Sequence, residues 1–191
     1  MDTITIQAVA EMAPERAAAA YPAACAVFWE TAPQAAELTG QDRELFLRKY
    51  FGYYWDNAPD LFLCASEAGS IHEMLGYICG VSDTRAHHEL YQLAEHIPLF
   101  DDLYSDYPAH LHINLTSRAR GQGLGARLIH DLEDRLARHQ VPGLHLVTST
   151  GKRNVSFYRG LGFTCEVSRS TEPQTQESPH DCPLFMAKRL T

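Results

Sequence analysis

The sequence predicts one α/β domain, and three observations predict it. Its 191 residues suit a single domain, at about 150 residues each. Runs of strand length alternate with longer stretches of helical periodicity. Neither an internal repeat nor a linker-like segment divides the chain, so residues 1–191 are expected to fold as one domain.

The elements follow in order. Residues 3–9 (TITIQAV) alternate and read as a first strand. Pro14 to Trp29 is rich in alanine and predicts a helix, with Pro22 as a candidate break. Leu45, Leu47, Tyr50, Phe51 and Tyr54 recur near helical spacing, which predicts a second helix over Asp42 to Asp56, ended by Pro59. Leu61 to Ser66 and Met74 to Val81 form a hairpin about the turn at 68–70. Arg85 to His96 is compatible with a helix, and Pro98 to Pro108, acidic and aromatic, with a covering loop. Leu111, Ile113 and Leu115 alternate with His110, His112 and Asn114 in a half-buried strand. A Gly-rich turn at 121–125 opens a helix carrying Leu124, Leu128, Ile129, Leu132 and Leu136 on one stripe to about Gln140, where Pro142-Gly143 stops it. Leu144 to Thr148 is a strand, Asn154 to Leu161 a short helix ended by Gly162, and 163–169 and 183–190 two last strands. The polar stretch 170–181 is expected to be a surface loop.

Composition narrows the function. With 45% hydrophobic and 21% charged residues the chain is neither a disordered tail nor a fibre. A net charge of −8 argues against a general nucleic-acid binder. No run approaches 18 apolar residues and Met1-Asp2-Thr3-Ile4 opens no secretory signal, so no membrane span or export is expected. Five cysteines, an odd number with no C-x-x-C pair, point to reduced thiols in a cytoplasmic protein. Residues 118–159 carry a net +5 and the remainder −13, which fits either a local anion site or a chance clustering of solvated helix charges.

That site has a physical candidate. Arg118-Ala119-Arg120-Gly121-Gln122-Gly123-Leu124-Gly125 joins a strand to a helix. Glycines let the backbone approach a ligand closely, and the helix start offers amide hydrogens and a favourable dipole to a pyrophosphate. Ala126-Arg127 stands where an NTPase P-loop needs Lys-Ser/Thr. A dinucleotide-binding βαβ unit would place the turn in the first repeat, with an acidic residue ending the next strand; here that strand ends in Thr148.

Arg120-Gly-Gln-Gly123-Leu-Gly125 resembles the acetyl-CoA signature, Arg/Gln-x-x-Gly-x-Gly/Ala, of the GCN5-related N-acetyltransferase (GNAT) family. About 30 residues on, Asn154-Val-Ser-Phe157-Tyr158-Arg-Gly-Leu-Gly162-Phe163 resembles that family's second signature, shortened between the asparagine and the aromatic pair. YPAHLHINL and the flanking hairpin are also similar to the acetyltransferase-like module of bacterial homologues of the O-GlcNAcase C-terminal region. The resemblance implies a single GNAT-like domain: a mixed, mostly antiparallel sheet splayed between its fourth and fifth strands, with helices on both faces. It implies an acetyl-CoA-dependent transferase that moves an acetyl group to an amine, small or protein-borne, with no metal. The alternative is a non-catalytic acyl-CoA-binding module.

Carried over by position, the resemblance makes the backbone of Ile113 and Leu115 a partner for the pantetheine arm. It gives Arg120, Gly121, Gln122, Gly123, Leu124, Gly125 and Ala126 to the pyrophosphate, Asn154 to the pantetheine region and Phe157 to packing against the cofactor. Tyr158 becomes the general acid for the departing thiolate. The amine needs a base, and His110 or His112 on the entering strand is the candidate, His110 slightly preferred; imidazole is suited to that work near pH 7. Tyr104, Asp106 and Tyr107 are expected to line the acceptor pocket. His110 and His112, alternate residues on one strand face, are also spaced as a metal-binding pair, but the sequence places no third ligand. It sets neither the acceptor nor the oligomeric state.

Overall fold

The computed structural model describes residues 4–68, 70–150, 154–169 and 182–190. Strand β1 (Ile4–Ala8) leads into helix α1 (Pro14–Thr31). Pro22 lies inside α1 without ending it. Next come α2 (Gly40–Leu47), a π-helical turn at Arg48–Gly52, and α3 (Tyr53–Asn57), where one regular helix is expected from the sequence. The π turn takes up residues that an unbroken α-helix would place out of phase with the aromatic core. Strands β2 (Leu63–Glu67) and β3 (Met74–Val81) form the expected hairpin, with a register shift at Ala65/Ser66.

The expected helix from Arg85 shrinks to α4 (His88–Leu93), and the expected loop contains 3₁₀ turns over Pro98–Leu103. Strand β4 (Ala109–Leu115) and helix α5 (Leu124–Arg138) flank the Gly-rich turn. The chain leaves α5 through Gln140 at φ +57°, the left-handed exit usually taken by glycine. Strand β5 (Gly143–Ser149), helix α6 (Val155–Gly160) and strands β6 (Cys165–Ser168) and β7 (Pro183–Arg189) complete the fold. The expected loop at 170–181 lies outside the described residues.

The seven strands run in the order β1-β2-β3-β4-β5-β7-β6. β4 and β5 are parallel, pairing Ala109 with Leu144 and His110 with His145, and α5 supplies the crossover such a pair needs. β1–β2, β2–β3, β5–β7 and β6–β7 are antiparallel. This is the mixed, mostly antiparallel α/β architecture the sequence predicts.

Contacts gather into two compact units, Met1–Val81 with His112–Arg135, and Ser82–Leu111 with Leu136–Thr191. In the first unit, α1 and α3 pack on β3, all eight residues of which are buried. Its core is aromatic: the Phe51 ring lies 5.2 Å from Phe62 and 5.3 Å from Tyr77. The α5 stripe is buried as expected at Leu124, Leu128, Ile129 and Leu132. In the second unit, His145 stacks on Phe185 at 4.7 Å and on Tyr104 at 4.9 Å.

Candidate active site

The Gly-rich turn lies in the first unit and has the backbone geometry that an anion site needs. Gly121 and Gly123 adopt φ +73° and +79°, and a Cβ at either position would meet nothing within 4 Å. Both are therefore glycines for backbone conformation, and the space above them is open. Arg127 N–H bonds to Gly123 O and opens the intrahelical ladder. The amides of Gly123, Leu124, Gly125 and Ala126 thus belong to the first helical turn, which has no carbonyl of its own to bond. Leu124 contributes only backbone there, since its side chain is in the core. These features fit a diphosphate.

The neighbouring cations are committed elsewhere. The Arg118 guanidinium forks between Glu67 and Glu73, each at 3.1 Å. Arg120 Nε donates to Leu115 O at 3.2 Å, and Gln122 Nε2 to Arg118 O at 2.7 Å. A cavity of about 520 Å³ opens beside the turn, lined by Ile4, Glu67, Leu75, Arg118, Gln122 and Arg127 among others.

The edge of β4 continues the arrangement. Thr116 N–H donates to Leu75 O at 2.9 Å, toward β3. Alternation along the strand then turns the amides of Ile113 and Leu115 to the opposite edge. That is the edge an added strand would use.

On the face of β4, His110, His112 and Asn114 share one side, and the structure separates the two histidines. His110 is 6% exposed, with Nδ1 3.4 Å from the buried Thr84 hydroxyl and its ring 5.6 Å from His145. It is built into the core of the second unit. His112 is half-buried in the first unit, with Nε2 3.1 Å from the Tyr54 hydroxyl and its ring edge-on to Tyr50 and Tyr54 at 5.5 and 5.2 Å. Asn114 Nδ2 donates to the Tyr77 hydroxyl at 2.6 Å, and Thr31 Oγ1 lies 3.0 Å from Asn114 Oδ1. The sequence reading missed Tyr54, Tyr77 and Thr31 as partners of this strand. Tyr50 and Tyr54, four apart on one helical face, were the available signal.

In the second unit, Tyr158 is buried on α6, its ring 5.8 Å from Phe163 and 5.2 Å from Phe157. Burial pushes its phenol up to about 12, against a smaller opposing effect of the hydrogen bond with Asn154. Asn154 Oδ1 also accepts from Thr148 Oγ1 at 3.3 Å. Phe157 is 39% exposed, as an apolar side chain awaiting a partner would be. Of the expected acceptor-lining residues, Tyr104 behaves otherwise. Tyr104 is 1% exposed, donates its hydroxyl to Ile97 O at 2.7 Å and stacks on His145, so it is a core residue and not a pocket wall. Asp106 is exposed and paired with Arg189 at 2.8 Å, and Arg189 also lies over the Tyr107 ring.

The model of the Acetyltransferase (GNAT) family matches residues 22–163, which span both signatures. The chain belongs to the GNAT family. Its GNAT fold is shared with solved structures. SsHAT is 19% identical over 99% of each chain, with a TM-score of 0.67. An agmatine N-acetyltransferase variant is 14% identical over 99% of this chain and 100% of its own, at 0.65. The ribosomal-protein-alanine N-acetyltransferase from Brucella melitensis is 18% identical over 98% and 99%, at 0.56. The narrower resemblance to homologues of the O-GlcNAcase C-terminal region finds no support among these GNAT neighbours.

Proposed function

We propose that this GNAT protein is an acetyl-CoA-dependent N-acetyltransferase acting on an amine. The observation that carries the reading is the Gly-rich turn, with two open left-handed glycines ahead of the unpaired amides of α5. Acetyl-CoA supplies the activated acetyl group; a C–N bond forms and a C–S bond breaks. The amides from Gly121 to Ala126 bind the diphosphate, and those of Ile113 and Leu115 align the arm. The Leu115 N–H donates to the carbonyl oxygen as negative charge develops; such a donor contributes roughly 3 kcal/mol. Tyr158 holds a proton at Oη throughout the neutral range, because burial raises its phenol, and gives it to the departing sulfur.

The amine must lose a proton, and His112 is the better placed of the two histidines to take it. It is only half-buried, whereas His110 is enclosed against Thr84 and His145. Solved relatives act on acceptors as different as agmatine and a ribosomal protein's alanine, so this reading stops at the amine.

Calorimetry with coenzyme A, followed by thiol release from acetyl-CoA with an amine panel, tests the reading. Micromolar-range binding with amine-dependent release is expected. Absence of any heat at neutral pH would overturn it, and tight binding without release from any amine would leave a non-catalytic acyl-CoA module instead.

A further inference from the structure

The last turn of α1 ends in two adjacent polar residues that hold different parts of the first unit. Thr31 Oγ1 lies 3.0 Å from Asn114 Oδ1, on the β4 face that also carries His112, and its one proton is shared between that oxygen and the α1 carbonyls of Val27 and Phe28, at 3.0 and 2.9 Å. Glu30 Oε1 accepts the backbone N–H of Ser117 at 2.8 Å. Ser117 opens the 3₁₀ turn Ser117–Ala119, which leads directly into the Gly-rich turn. Glu30 is an exposed carboxylate, held below its usual range chiefly by that backbone hydrogen bond.

The junction has few other anchors. Thr116 is tied to Leu75 O through both its N–H and its hydroxyl, and Arg118 to Glu67 and Glu73. These bonds join the junction to the sheet. The Glu30 bond joins it to α1. A one-residue step along α1 therefore separates a grip on the junction before the Gly-rich turn from a grip on the His112 face of β4.

We infer that Glu30 and Thr31 together make α1 the mechanical link between the diphosphate turn and the His112 face, with Glu30 a positioning residue for coenzyme A. Seating a diphosphate fixes the turn; through Ser117 it fixes Glu30, and through Thr31 it steadies Asn114. The inference rests on the acetyl-CoA reading above, and its test separates the two.

The test is amide hydrogen exchange with and without coenzyme A, on the wild type and on Glu30→Ala and Glu30→Gln, with calorimetry on each. In the wild type, coenzyme A should slow exchange in peptides covering 117–126 and also in those covering 27–36. Glu30→Ala should keep the first protection, lose the second and bind coenzyme A roughly ten-fold more weakly, because the junction is then no longer pre-organised and must be ordered on binding. Glu30→Gln, whose amide oxygen still accepts, should restore most of the second protection and of the affinity. Unfolding midpoints should stay within a few degrees, because Glu30 is exposed.

Slowing at 117–126 with no change at 27–36 in the wild type overturns the inference and leaves the cofactor reading intact. Equal behaviour of Glu30→Ala and wild type overturns it too. No heat and no protection anywhere removes both.

Discussion

Gly76 on β3 lies directly beneath Leu115 on β4: a Cβ at Gly76 would come within 2.4 Å of Leu115 Cδ2 and 2.6 Å of Asn114 O. One of those atoms is backbone, so rotating a side chain does not relieve the contact. Gly76→Ala should therefore displace the end of β4 and cost about 1–3 kcal/mol of stability. In a chain this size that is a midpoint drop of several degrees. Coenzyme A affinity should fall as well, since the Leu115 amide moves. Thermal unfolding and calorimetry check both; an unchanged midpoint would mean that the strands separate freely here.

Tyr158→Phe keeps the buried ring and removes only the proton. The variant should bind coenzyme A as the wild type does and lose roughly 10²–10⁴-fold in turnover. With the phenol raised to about 12, wild-type turnover should show no decline from Tyr158 ionisation up to pH 9. A fully active Tyr158→Phe enzyme would take the acid role away from this residue.

The two β4 histidines should respond in opposite ways. His112→Gln should fold normally and turn over roughly 10²-fold more slowly, most markedly with amines that remain protonated at the assay pH. His110→Ala leaves a cavity against Thr84 and His145 and should lose about 1–3 kcal/mol of stability first. Urea titrations read beside steady-state rates distinguish them. Equal loss of rate at equal stability would mean that the strand face works as one unit.

His145 should make the protein sensitive to acid. Its Nδ1–H donates to Tyr107 O at 2.7 Å, and burial depresses its pKa to about 3. Unfolded, the imidazole titrates near about 6.5. Below that pH the unfolded chain takes up a proton that the folded one refuses. Stability is therefore full above about pH 6.5 and declines as pH falls toward about 3. Proton NMR should show His145 still neutral at pH 5, and urea midpoints should fall between pH 6.5 and 4.5. Normal titration of His145 would refute the assignment.

The fold was largely legible because hydrophobic period is a local property. The α5 stripe, the β2–β3 hairpin and β4 all sit where their spacing puts them. The Gly-rich turn was legible too, since left-handed φ at Gly121 and Gly123 is a requirement that glycine itself announces. What the sequence could not offer were pairings between distant positions. Tyr54 meets His112 across 58 residues and Glu30 meets Ser117 across 87, and no spacing rule reaches so far. The different burial of His110 and His112 was out of reach for the same reason, because two histidines on one strand face differ only in what packs on them. Tyr104 was misplaced because an aromatic residue in an acidic loop reads the same whether its ring points inward or out.

The interleaving of the two compact units carries a consequence for synthesis. All segments of the first unit have been made once translation passes Arg135. The second has to wait for β7, which pairs with both β5 and β6. Once Arg135 has emerged from the ribosome, the diphosphate turn can sit on an assembled first unit while the second still lacks β7, so the proposed capture of ligand is expected to precede completion of the half that carries Tyr158.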